Sequence, residues 1–297
     1  MASARRFGAG CVAAVLLAVA AGCATSASTV RIRERSVRVP VRDVHLTAVL
    51  FTPETPPAEG ARRPAIVLMH GCGGLYTSRG ELTARHRDWS ERFASWGFVT
   101  LILDSFTARG FGSICDLKER PAHPWNVRTG DAYAALDYLV NRPDVDPAHV
   151  FVLGWSHGGS TVTGVVRPEA LGRQPGGPRF RAAIAFYPGC ARPLRERGYR
   201  STMPLLILQG GADDLAPAAP CVELGERLKN NRFPVTVVIY PGAHHDFDYP
   251  GLRFHYLPNI YNPAAPGERG GHAGVDEPSR LKAIDETRRF VDANLAR

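Results

Sequence analysis

The chain has 297 residues and a formal net charge of +8, enough for one large α/β domain or two small ones with a substantial core. The charge is almost all arginine, the lysines being Lys118, Lys229 and Lys282, and it is scattered rather than gathered in a run. That excludes a basic nucleic-acid arm, so no nucleic-acid partner is expected.

The N-terminus reads as an export signal. Arg5 and Arg6 precede the apolar run Cys11–Ala21, which is shorter than the roughly 20 residues a membrane span needs. Ala20-Ala21-Gly22-Cys23, followed by a polar stretch, resembles a bacterial lipoprotein box with Cys23 as the lipidated residue. The expected organisation is a signal at 1–23, a tether at 24–34 and one folded domain at 35–297. Such a chain would be periplasmic and meet the membrane only through its lipid; plain secretion is the alternative. Export leads to an oxidising compartment. Of the remaining cysteines, Cys72, Cys115, Cys190 and Cys221, an even number favours two disulfides, with three pairings open. Their positions favour Cys190 with Cys221, which leaves Cys72 for Cys115. Free buried thiols are the alternative.

Val37, Val39 and Val41 alternate through Ser36–Asp43, a strand pattern, and His45–Phe51 follows as a hairpin partner. Ala65–Met69 is a continuous apolar run, as in a central parallel strand covered on both faces. Phe98–Leu103, His149–Leu153, Ala182–Phe186, Leu205–Leu208 and Val235–Tyr240 repeat it. Helical stripes lie between: Trp89, Phe93 and Trp96; Ala132, Ala135, Leu136 and Leu139; Val222, Leu224 and Leu228. Leu281, Ile284, Val291 and Leu295 line a closing helix. Strands alternating with helices predict an α/β fold, a doubly wound and mostly parallel sheet with an antiparallel N-terminal hairpin. Two long loops, Thr107–Asn126 and Tyr249 to about Pro278, are rich in Gly, Pro, His and Arg. Loops of that length in a compact domain are usually functional.

The stretch Phe151–Gly159 carries the chemistry. An apolar strand runs into Gly154-Trp155-Ser156-His157-Gly158, the wording of a nucleophile elbow with Ser156 at its apex. A serine hydroxyl is a weak nucleophile until a base and an orienting acid stand beside it. In α/β-hydrolases these follow in the order acid, then histidine. The strand Leu205–Leu208 ends in a loop holding Asp213 and Asp214, and Val235–Tyr240 ends in one holding His244 and His245. A metal site from His244, His245 and Asp246 is disfavoured, because neighbours on extended chain point apart. No Cys/His spacing suggests zinc.

Together with His70-Gly71-Cys72-Gly73-Gly74 and Asp104–Gly110, these motifs make the chain from about Ala65 resemble the dienelactone hydrolase family of α/β-hydrolases. The resemblance implies the α/β-hydrolase fold. Its Gly-x-x-Asp-x-x-x-Pro pattern implies Asp213 as the acid, and its Ala-x-His-x-Phe pattern implies His245 as the base. It implies an oxyanion hole from the backbone N–H groups of Cys72 and His157, and Arg109 as a substrate-binding residue. The chain departs from the family's best-known members in carrying Ser156 for a cysteine and Gly71 for a glutamate. Activation of Ser156 by His245 is then the simpler route, and an ordinary ester or lactone the expected small-molecule substrate, with no cofactor. A peptidase or acyltransferase on the same triad is the alternative among enzymes. A polyester hydrolase would need an open cleft, which the two long loops disfavour. A non-catalytic lipoprotein on the same fold is the alternative outside enzymes.

Overall fold

The computed structural model of the protein describes residues 30–42, 44–265 and 267–296, together with Met1. The export signal, Cys23 and the tether up to Thr29 lie outside the described residues. An eight-stranded sheet organises the chain, in the order β1-β2-β4-β3-β5-β6-β7-β8. The hairpin β1 (Ile32–Val41) and β2 (Val44–Pro53) is antiparallel, and β2 runs antiparallel to β4 (Val99–Leu103). All later neighbours are parallel: β3 (Arg63–Met69), β5 (Val145–Trp155), β6 (Ala183–Phe186), β7 (Leu205–Gly210) and β8 (Val235–Tyr240). β1 opens at Ile32, inside the stretch expected to be tether, because its first residues pair with the end of β2.

Alternation along each strand divides the core into two layers. Val67, Val152 and Ile207 face helices α2 (Val127–Val140), α3 (His157–Val165) and α5 (Ala218–Asn230). Ile66, Leu153 and Leu208 face α1 (Ala84–Ser95) and α6 (Glu277–Leu295). A short helix α4 (Ala191–Arg195) follows β6. Leu281, expected in the apolar stripe of α6, is exposed, whereas Ile284, Val291 and Leu295 pack on the core as expected and Ala283 joins them.

Both long loops have structure of their own. The first contains a single 3-10 turn at Thr107–Arg109. The second folds into a two-stranded ribbon of β9 (His255–Tyr256) and β10 (His272–Ala273). Tyr261 N–H donates to the Cys115 carbonyl at 2.9 Å and Arg269 to that of Asp116 at 3.1 Å, so the two loops meet as one cover. Two disulfides, Cys72–Cys115 and Cys190–Cys221, complete the scaffold.

Candidate active site

Parallel strands bring separate loops to one edge of the sheet, and the turns after β3, β5, β7 and β8 all emerge there. Ser156 stands between β5 and α3 with φ 52° and ψ −112°. That conformation costs a non-glycine residue about 1–3 kcal/mol, and it lifts the side chain clear of the strand end. Gly158 is what allows α3 to start so close: a Cβ there would overlap the Met69 carbonyl and lie 2.7 Å from that of His70. Gly210 does the same between β7 and the loop after β8, where a Cβ would lie 2.5 Å from the Ala243 carbonyl.

Ser156 Oγ lies 2.9 Å from His245 Nε2, and His245 Nδ1 lies 2.7 Å from Asp213 Oδ2. Facing a carboxylate, Nδ1 must carry the ring proton, so Nε2 presents its lone pair to the serine hydroxyl. Asp213 is fixed in turn. Its Oδ1 accepts the N–H groups of Leu215 at 2.9 Å and Ala216 at 2.8 Å, and its Oδ2 accepts Gln209 Nε2 at 3.2 Å. Burial opposes a charge on His245, but the Asp213 carboxylate and its hydrogen bond outweigh it and raise the imidazole above its usual 6.5. Gly274 N–H donates to the His245 carbonyl at 3.0 Å, so the ribbon also holds the histidine's backbone.

The neighbouring candidates serve the cover instead. Asp214 Oδ2 pairs with His272 Nδ1 at 2.7 Å, and the His244 ring packs 4.8 Å from Phe254.

Cys72 is buried, bonded to Cys115, and its carbonyl accepts Ile114 N–H at 2.9 Å. His70 Nδ1 stands 2.7 Å from the Gly71 carbonyl and therefore donates to it, while its Nε2 accepts Ser105 N–H at 3.1 Å. Anchoring that carbonyl turns the N–H of Cys72, in the same trans peptide, the opposite way. His157 is the first residue of α3, where N–H groups have no intrahelical acceptor.

Arg109 does not reach this site. Its guanidinium grips buried Asp131 at 2.7 and 2.9 Å and the Ser105 carbonyl at 2.6 Å. It lines a cavity of about 750 Å³ between the β1–β2 turn and α2, a cavity without Ser156. A motif register sets backbone position, whereas a buried carboxylate claims whichever cation can reach it. Two small cavities flank Ser156 instead. One, of about 60 Å³, is lined by Arg120, Tyr187 and Leu215; the other, of about 170 Å³, by Arg85, Tyr249 and Leu257. Both include Cys72, His245 and Ile260.

Sequence reasoning missed Arg85 and the network below it. Arg85 donates to Tyr187 Oη at 2.8 Å and forms an ion pair with Asp246. Buried Asp248 accepts from Trp89 Nε1 at 2.8 Å, Trp155 Nε1 at 2.9 Å and Tyr187 Oη at 2.5 Å. It thereby ties the tryptophan before Ser156 to a tyrosine whose ring lies 4.6 Å from that of His245. Asp246 and Asp248 follow His245 by one and three residues in sequence, the one signal that could have suggested the network.

Residues 46–265 match the model of the dienelactone hydrolase family. The chain belongs to that family. A dienelactone hydrolase family fold and the hydrolase character of its members therefore apply to it. An uncharacterised protein of Mycobacterium tuberculosis is 30% identical over 243 residues, covering 76% of this chain and 77% of its own length. Acylamino-acid-releasing enzyme 2 of Oryza sativa subsp. japonica is 24% identical over 68% of this chain, which spans 30% of the plant enzyme. Among solved structures, esterase 2 of Thermogutta terrifontis superposes with a TM-score of 0.62 at 19% identity, covering 88% of this chain and 94% of that one. At that identity the likeness is one of fold.

Proposed function

We propose that the protein is an exported serine hydrolase that cleaves small carboxylic esters or lactones through an acyl-enzyme. The observation that carries this is the relay of Ser156 Oγ, His245 and Asp213 at 2.9 and 2.7 Å. Ser156 attacks the carbonyl while His245 takes its proton, and Asp213 holds the Nδ1–H tautomer and stabilises the imidazolium. The oxyanion is received by the Cys72 and His157 N–H groups. His245 protonates the leaving alcohol, then draws a proton from water as the acyl group is released. Cavities of about 60 and 170 Å³ beside Ser156 suit short acyl and alcohol groups. Export is supported by the basic and apolar N-terminus and by the disulfides, and a lipid on Cys23 would hold the domain at the membrane.

Ser156→Ala is expected to abolish turnover of short p-nitrophenyl esters with an unchanged melting temperature, and a fluorophosphonate probe should label the native chain at Ser156 alone. Hydrolysis surviving in that variant would refute the assignment. A peptidase reading draws on the likeness to the rice acylamino-acid-releasing enzyme. Release of an acylated amino acid from a short peptide, measured beside the ester assay, separates the two.

A further inference from the structure

Arg128, near the start of α2, is fully buried, and both of its hydrogen-bond partners are neutral. The nearest acid along its helix, Asp131, is held by Arg109. One amino group, Nη1, donates to the His70 carbonyl at 2.7 Å and to His157 Nδ1 at 2.9 Å. Burial and the guanidinium hold His157 well below the usual imidazole range, so its ring is neutral and its Nδ1 accepts. Burial also draws Arg128 down to about 9, which leaves it cationic at neutral pH. Its Nε and Nη2 are buried without partners, and its Cζ lies 5.1 Å from the Phe106 ring centroid. Asp131 and Asp104 favour its charge from a distance, but burial outweighs them, and a buried cation whose direct partners are two neutral acceptors is expensive to keep for packing alone.

The two acceptors are not arbitrary. His70 opens the loop that carries Cys72, and His157 opens α3. The His70 carbonyl that Arg128 binds is also one that bare Gly158 lets α3 approach, since a Cβ there would lie 2.7 Å away. Gly158 makes the contact between the two segments possible, and Arg128 fastens it.

We propose that Arg128 is a positioning residue for the oxyanion hole: its Nη1 group, by binding the His70 carbonyl and the His157 ring together, sets the spacing between the Cys72 loop and the first turn of α3, and its buried positive charge beside that junction favours the negative charge of the oxyanion as it forms. The proposal rests on the hydrolase reading above. An interaction felt only in the transition state lowers kcat and leaves KM nearly unchanged.

The test compares the full chain with Arg128→Met and Arg128→Lys. It reads kcat and KM on a short p-nitrophenyl ester, the inhibition constant of an alkyl boronic acid that forms an anionic tetrahedral adduct, and the melting temperature. Arg128→Met is expected to lose about a hundredfold in kcat, to hold KM within about threefold, and to lose boronate affinity in step with kcat. A purely structural pin would lower the melting temperature and leave kcat per active site and boronate affinity as they were; that result overturns the proposal. If Arg128→Met does not fold, Arg128→Lys decides: it keeps the charge but cannot span both acceptors with one planar group, so kcat and boronate affinity should each fall about tenfold. Native values in that variant overturn the proposal. A native chain that neither turns over ester nor takes the fluorophosphonate label brings down the hydrolase reading and this one with it. An active, labelled native chain beside an unaffected Arg128→Met brings down this one alone.

Discussion

On the proposed mechanism His245 serves as a base only when neutral, and its environment makes neutrality harder to reach. Burial favours the uncharged ring, yet the carboxylate of Asp213, 2.7 Å from Nδ1, more than reverses that and raises the pKa above 6.5. In that mechanism the protonated form is inactive, so kcat/KM should climb as pH rises and reach half its plateau above 6.5. Ester hydrolysis followed from about pH 5 to about pH 9 checks this, and an acid limb centred below 6.5 would contradict it. At this scale the sequence was legible only where a motif fixes the backbone. Ser156, Asp213 and His245 each close a short pattern at a strand end, and they converge. Asp213 and Asp214 differ by one residue, and only the fold sends the first to His245 and the second to His272. Arg109 sits in its expected register, but buried Asp131 takes its side chain away. Arg128 has no motif at all, and its role depends on two backbone segments meeting in space.

Among the elements, the junction of β3, β5 and α3 is the least tolerant. The glycines of His70–Gly74 and Gly154–Gly159 look alike in sequence, yet their surroundings differ. Gly73 has no heavy atom within 4 Å of an added Cβ, whereas one at Gly158 would strike the Met69 carbonyl. Gly158→Ala is therefore expected to lower the unfolding free energy by at least about 2 kcal/mol, because backbone cannot yield as a side chain tip can. Gly73→Ala serves as its control and should stay within about 1 kcal/mol. Urea unfolding of the two variants checks the contrast, and equal losses would show that crowding at α3 is not what restricts Gly158. The strands and the longer helices were readable because periods of 2 and 3.6 are local signals. The ribbon of β9 and β10 was not, since two-residue strands leave no period and exist only by pairing across the second loop.

Over the whole molecule, the cover and the disulfides set what surrounds the site. Cys72–Cys115 joins the loop after β3 to the first long loop across 43 residues, and Cys190–Cys221 spans 31 between β6 and α5. Closing loops of these lengths removes enough unfolded-chain entropy to stabilise the fold by about 4 kcal/mol each. Replacing Cys190 and Cys221 together by serine should lower the guanidinium unfolding free energy by about that amount, and a change below about 1 kcal/mol would show that this bridge contributes little. Local pattern alone determined the α/β class, the antiparallel start, the elbow and the chain order of the serine, acid and histidine loops. These depend on which residues repeat and which are small, and that is written in neighbouring positions. Tertiary structure decided which histidine faces Ser156 and which aspartate faces that histidine, where Arg109 points, what Arg128 holds, and how small the cavities are. Those outcomes depend on the direction of side chains brought together from distant parts of the chain, and on competition for each buried charge, which no local pattern records.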